Sequence, residues 1–384
     1  MANPASVRRE QGTAWTSTEP AGVLGMLAAP AVAGDTLLAA LTDLPASAVA
    51  PLLERLSYHR VDGLAFRAVG RLPQTAVDPW LHATLKRRYQ QCTAATLVQG
   101  MAVAEILHSL GSSGIRVAVV GGLRSVESIY GDAGSRPIDT HDLLVPSAER
   151  ESTAATLRRL GLQPAGGVRF RRGALLVDLH VDALAARLRP RRPVVSLPTA
   201  GLMERASPGR VAGAPAMLLS PEDELLLLAV DIVRRSCGRL IAVADLAHMV
   251  AAQGCAIDWT VLLARAAASH TSHLVGLALQ SMALLGVAPP EKMKLSGSGR
   301  WLQRLLIRRI RSNRPLPLGG EILAALAAPG LIRGLRGLAG ALRPTPGTGV
   351  APQAPLSWQV QRDVITIHPR SIPRRPREGS AHGR

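Results

Sequence analysis

The residues with the most chemical potential lie between Val117 and Val181. The run Val117-Ala-Val-Val120 leads into Gly121-Gly122. Asp139-Thr140-His141-Asp142 then opens onto Leu143-Leu144-Val145, and Asp178 and His180 sit inside Ala174–Val181. A β-branched run reads as a buried strand, a glycine pair lets the backbone close on a phosphate, and each later acid stands among strand formers. Together they are the parts of a site for a nucleotide and a divalent cation. Strand alternation puts Leu176, Asp178 and His180 on one face and Leu175, Val177 and Leu179 on the other. A carboxylate on a buried strand face is costly unless it is paired, hydrogen-bonded or metal-bound. Asp178 is therefore either a site acid or an edge-strand residue open to water. His141, between Thr140 and Asp142, points away from both and is read as packing.

The order of these segments resembles the nucleotidyltransferase superfamily, and most closely an uncharacterised bacterial nucleotidyltransferase family often found beside natural-product biosynthesis genes. The likeness runs from about Leu37 to Pro290. It passes through His59-Arg60-Val61, the helix around Tyr89, Gly114 to Gly122, Arg136 to Val145, Val177-Asp178-Leu179-His180, and Ser220-Pro221-Glu222-Asp223 on to Trp259. In the superfamily one strand carries two acids spaced i and i+2 and a neighbouring strand a third. Residues i and i+2 share a face roughly 6.6 Å apart, which suits two cations roughly 3.5–4 Å apart. The resemblance implies an α+β fold, with a small mixed-sheet nucleotidyltransferase palm flanked by N-terminal helices and a C-terminal helical domain. It also implies an NTP as substrate, an acceptor hydroxyl and Mg²⁺.

The chain departs from the pattern at the first acid. Aligning Leu143-Leu144-Val145 with the family strand puts Asp142 at the second acidic position and Thr140 at the first, while Asp139 falls one residue early. On a regular strand Asp139 points to the face opposite Asp142, so it can join the site only through a bulge or a loop. The carried-over site is then catalytic Asp142 and Asp178, with Asp142, Asp178 and Asp139 as metal ligands and Gly121, Gly122, Arg136 and Thr140 on the nucleotide. Gly121-Gly122 replaces the family's usual Lys-Gly. Arg124 and Arg136 can restore the missing charge, or Arg136 can pair with a loop acid. His180 is read as an orienting partner for the acids. The incomplete acidic triad leaves two readings open. One is a metal-dependent transferase. The other is a catalytically impaired nucleotidyltransferase fold that binds nucleotide or serves as a scaffold.

Composition adds a frame. The 384 residues carry a formal net charge of +18, with lysine only at Lys86, Lys292 and Lys294. From Arg300 onward 15 Arg face only Glu321, Asp363 and Glu378, so +12 of that charge lies in the C-terminal stretch. Nucleic-acid or anionic-membrane contact is thus expected of the tail rather than of the palm. Arg300–Arg311 reads as a basic amphipathic helix, which can also simply cap the helical domain. Three cysteines with no Cys-x-x-Cys exclude a disulfide framework and point to a cytoplasmic protein. No apolar run is long enough to span a bilayer.

The expected organisation is a disordered N-terminus over 1–34, a helical region over 35–113 and the palm over 114–200. A helical domain follows over 201–290, then basic amphipathic helices over 291–343 and a disordered Pro- and Arg-rich tail over 344–384. Strands are expected near 116–120, 142–146 and 174–181. A long helix is expected from Trp80 to Leu110, interrupted at Gly100. In the helical domain Asp231, Arg234, Arg235 and Asp245 either reach a substrate or form helix-to-helix salt bridges.

Overall fold

The apolar run ending at Val120 forms an inner strand of a seven-stranded mixed sheet in a computed structural model that describes residues 20–183, 197–234 and 238–288. The strands are β1 (Ala118–Val120), β2 (His141–Leu144), β3 (Gln163–Pro164), β4 (Arg169–Arg172), β5 (Leu175–His180), β6 (Ser207–Val211) and β7 (Ala214–Leu218), in the order β3-β4-β5-β2-β1-β7-β6. β2 runs antiparallel to β1 and parallel to β5, while β7 runs parallel to β1. The three expected strands are therefore the central ones.

Each sheet face has its own core. Val117, Val119, Leu143, Val145, Leu175, Val177 and Leu179 pack against Val103, Ile106, Leu107 and Leu110 of the long helix α5 (Pro79–Ser112), Leu123 of the short helix α6 (Gly122–Ser125) and Leu157 of α7 (Arg150–Arg159). On the other face Ala118, Val120 and Leu144 join a larger cluster made by the remaining helices. These are α1 (Pro20–Ala28), α2 (Gly34–Thr42), α3 (Ala46–His59), α4 (Asp62–Val69), α8 (Thr199–Arg205), α9 (Pro221–Arg234), α10 (Leu240–Gln253), α11 (Trp259–Ala268) and α12 (Ser272–Ser281). Alternation from Leu144 and from Val177 places Asp142, Asp178 and His180 on this second face, toward the helical layer.

Three sequence expectations need correction. Residues 20–34 are not a disordered N-terminus: α1 buries Val23, Leu24 and Leu27 completely or nearly so. The palm does not stop at 200, because β6 and β7 form a hairpin whose second strand extends the sheet beside β1. The hairpin turns through Ala212 (φ 52°) and Gly213 (φ 75°), a left-handed pair of the kind two-residue hairpins need. Alanine at the first position hid the signal. Gly100 does not interrupt α5, which runs 34 residues from a Pro79 start capped by Asp78, whose carboxylate accepts from the Leu81 N–H at 2.8 Å. Gly100 is buried toward Leu123 and Ala212.

The segment from Gly131 to Thr140, which delivers β2, is held down along its first half. Asp132 accepts from the Tyr89 hydroxyl at 2.7 Å, the Ser135 hydroxyl at 2.8 Å and the Gly134 N–H at 3.0 Å. This hydrogen bonding keeps its carboxyl below the usual range, although partial desolvation, the largest single influence, works the other way. Gly63 of α4 makes the close approach possible, since a Cβ there would run into the Gly134 carbonyl and lie 2.8 Å from that of Ser135. Backbone cannot step aside as a side chain can. Gly63→Ala is expected to lower stability by about 1–3 kcal/mol, the usual cost of overpacking. Chemical denaturation measures it, and an unchanged midpoint would refute the close approach.

The former expectations for 1–19, for the basic helix at 300–311, for 291–343 and for the tail lie outside the described residues, as does Arg235. No helix among the described residues is long and apolar enough to cross a membrane.

Candidate active site

Register brings the two acids together. In the parallel pair β2–β5, Asp142 is directly opposite Asp178, and Leu144 is opposite His180. Asp142, Asp178 and His180 each offer a ligand atom, and these atoms all lie within 4.8 Å of one another. Asp142 and Asp178 are mostly enclosed, each side chain 13% exposed. The His180 Nε2–H donates to Asp142 Oδ1 at 2.7 Å, the proton being assigned from the carboxylate it faces. The Nδ1 of His180 is buried without a hydrogen-bond partner among the described residues. His180 thus holds one oxygen of Asp142, as the sequence suggested. The other oxygen faces the glycine turn, where a Cβ on Gly121 would lie 4.0 Å from Asp142 Oδ2.

The turn is built from glycine for steric reasons. Gly121 has φ 62° and ψ −156°, a conformation essentially confined to glycine. Gly122 has φ 45°, and a side chain there would meet the Thr140 carbonyl at 2.9 Å and Ile138 at 3.3 Å. The turn therefore packs directly on the loop that carries Thr140 into β2.

One residue that the sequence reading passed over changes the electrostatics. Arg169 on β4 stands opposite Asp178 in the antiparallel β4–β5 pair. It grips that carboxylate with two bonds of 2.7 Å, from Nε and Nη2. A bidentate pair is among the stronger charge-assisted contacts. The signal was available only once β4 was known to be the partner of β5.

The other expected phosphate arginines are placed as ties between layers. Arg136 Nε donates to both carboxylate oxygens of Asp245 on α10 at 2.9 and 2.8 Å, and the Tyr130 hydroxyl donates to the same carboxylate at 2.7 Å. Arg124 donates to Glu224 at the start of α9 at 2.6 Å. There burial pushes the Glu224 carboxyl up while the Arg124 charge opposes it. Asp139 does not join Asp142 and Asp178. Its carboxylate pairs with Arg60 at the C-terminal end of α3, with Arg239 Nη1 4.0 Å away. His141 faces the opposite sheet surface and meets the Gln99 amide oxygen at 3.1 Å.

Burial holds His141, His248 and His273 at about 4. Their folded values lie below the ordinary value near 6.5, so the unfolded chain takes up protons first as the medium acidifies. The stability they allow is complete above about pH 6.5 and is lost as pH falls through about 4. Denaturation midpoints recorded from pH 7.5 to 4 are expected to fall, and less steeply in His141→Gln. A flat profile would contradict this.

The donor set fits one hard divalent cation. Such an ion needs one or two carboxylates beside water and substrate phosphates, which Asp142 and Asp178 can supply. Arg169 is a built-in competitor for Asp178.

Two carboxylates on adjacent central strands, beside a glycine turn and under a helical layer, are the frame of a nucleotidyltransferase palm. The sequence matches the family described as "Uncharacterised nucleotidyltransferase" over residues 46–286, more than half of its length, and the chain belongs to that family. No curated protein matches. Among solved structures, the crystal structure of ANT(2")-Ia in complex with adenylyl-2"-tobramycin is similar with a TM-score of 0.35 and 16% identity, over 44% of this chain and 98% of that one. A solution structure of ANT(2'')-Ia gives 0.34 and 17%, over 45% and 93%. An antigenic nucleotidyltransferase-like protein from Paracoccidioides brasiliensis gives 0.30 and 14%, over 53% and 96%.

Proposed function

We propose that the protein transfers a nucleotidyl group from an NTP to a hydroxyl-bearing acceptor at the Asp142–Asp178 site. The convergence of these two acids beside Gly121-Gly122 is the observation that carries the reading. The two carboxylates would hold Mg²⁺, which when bound supplies charge neutralisation on the triphosphate. His180 fixes the orientation of Asp142. The backbone of the glycine turn offers close approach to phosphate without a side chain in the way. The acceptor hydroxyl oxygen forms a bond to the α-phosphorus as the bond to pyrophosphate breaks and the hydroxyl proton passes to solvent water, and the chain contributes mainly positioning and electrostatics. A small molecule of natural-product biosynthesis suits the resemblance as acceptor, and the scarce cysteines suit a reducing cytoplasm.

Arg169 favours a second reading, an impaired transferase that binds nucleotide without turning it over, because it already neutralises Asp178. Calorimetry decides between binding modes: MgATP is expected to bind, and excess chelator to weaken that binding at least tenfold, since outer partners of a metal alone change affinity 10–100-fold. Binding that ignores chelator, in a folded protein, would overturn the metal site. Metal-dependent binding with no release of pyrophosphate across a panel of hydroxyl acceptors would favour the impaired reading.

A further inference from the structure

A cavity of about 100 Å³ opens in the helical layer. Its walls include Leu64, Arg67 and Ala68 of α4, Arg71 just beyond that helix, Tyr130, and His248 of α10. Leu64 is buried and Arg71 is exposed, so the cavity runs from the surface toward the core. The space exceeds the roughly 10–15 Å³ that a single water requires. It falls short of the roughly 300–1,000 Å³ of a drug-sized ligand site. A small ion, or one group of a larger molecule, is what it can hold.

Charge narrows the choice. Two guanidinium groups line the cavity, and no carboxylate does. Arg67 is anchored: its Nη1 donates to the Ser135 hydroxyl at 2.9 Å, and its Nε lies 3.5 Å from Asp132 Oδ2. The Arg71 side chain has neither an ion pair nor a hydrogen bond among the described residues. His248 donates its Nε2–H to the Ala28 carbonyl at 3.1 Å, and burial, with the Arg67 and Arg71 charges adding to it, holds it at about 4. The histidine is thus a neutral wall, and the positive charge comes from the arginines alone. Like charges that share a small, partly enclosed space repel, and an anion between them relieves the repulsion. A guanidinium fork also matches the spacing of two oxygens on one phosphate.

The cavity is separate from the Asp142–Asp178 site. Tyr130 ends a π-helical turn, Val126–Tyr130, that continues α6, so Gly122 and Tyr130 are opposite ends of one helical run. At 1.5 Å per residue they are roughly 12 Å apart along it. Turns of this kind are frequent at functional sites. We propose that the cavity is a second anion site, binding one phosphate-class oxyanion between Arg67 and Arg71, either as the free ion or as the monoester group of a small molecule. The proposal goes beyond the transferase reading and needs neither its metal nor its NTP.

The test titrates the full chain with inorganic phosphate by calorimetry, in chelator and at constant ionic strength, with thermal melts to confirm folding. Binding in the millimolar range or tighter is expected. Arg71→Gln is expected to weaken it about tenfold or more, as loss of a hydrogen bond to a charged group does. Its melt should match the parent, because the exposed Arg71 side chain has no partner to lose. Ala68→Leu, which fills the space, is expected to abolish binding, and either variant serves if the other does not fold. Glycerol 3-phosphate separates the two sources of the anion. Tighter binding than inorganic phosphate identifies a monoester group, and equal or weaker binding the free ion. Asp142→Asn is expected to leave phosphate affinity as it is. A change in that variant would put the anion at the glycine turn and overturn the proposal. Phosphate binding that is undetectable, or indifferent to both Arg71→Gln and Ala68→Leu, would overturn it equally.

Discussion

Arg136→Ala is expected to destabilise the protein by about 3–5 kcal/mol, the usual cost of removing one partner from a buried ion pair. Asp245 is 1% exposed on α10, and Arg136 reaches both of its oxygens from the loop before β2. Taking the guanidinium away leaves a buried carboxylate without its cationic partner. Tyr130 softens the loss without replacing it. Burial first, then the Asp245 charge, drive the Tyr130 hydroxyl well above its ordinary value, so it remains a neutral donor. Tyr130→Phe should therefore cost only about 1–3 kcal/mol, the price of leaving an acceptor short of one bond. Replacing both ends of the pair by apolar residues, as in Arg136→Met with Asp245→Leu, should recover much of the stability lost in the single variant. Urea denaturation measures all three. If Arg136→Ala loses less than about 1 kcal/mol while MgATP affinity falls tenfold or more, Arg136 serves phosphate rather than structure.

That alternative was open from the sequence because an arginine before an acidic strand looks the same whether it faces a ligand or a helix. Local pattern was enough for much else. The β-branched run at 117–120, the alternation at 175–180 and the Asp142 entry to β2 each depend only on neighbours, and each strand is where the pattern put it. The same alternation puts His180 on the face of Asp178, while its bond to Asp142 depends on the β2–β5 register. What was not legible depended on partners distant in the chain. Arg169 met Asp178 only through the β4–β5 register, and Arg60 and Arg239 met Asp139 only where α3, α10 and the loop before β2 come together. The hairpin at 207–218 was hidden by weak strand residues, with Pro208, Gly209 and Pro215 among them, and is held by its place beside β1. Asp245 looked equally suited to a substrate or to a salt bridge until Arg136 was found across the layer.

Asp178→Asn is expected to lower nucleotidyl transfer at least about 100-fold, because loss of a ligand should exceed the 10–100-fold effect of losing an outer partner. The amide keeps the shape of the side chain and removes the charge, so a fall in activity with an intact fold isolates electrostatics from packing. Some stability should be lost as well, since Asp178 is only 13% exposed and its amide leaves the Arg169 guanidinium without its charged partner, so thermal melts must accompany the activity measurement. Arg169→Gln supplies the converse test. Releasing Asp178 from its bidentate partner should increase affinity for a divalent ion, read with Mn²⁺ by water-proton relaxation. If Arg169 is the reason for an impaired site, Arg169→Gln should bind Mn²⁺ where the parent does not. If the site is already competent, both bind and Arg169→Gln binds more tightly. Weaker Mn²⁺ binding in Arg169→Gln, or transfer that survives Asp178→Asn, would mean that Asp178 is held by Arg169 for the fold and that the reaction centre lies elsewhere.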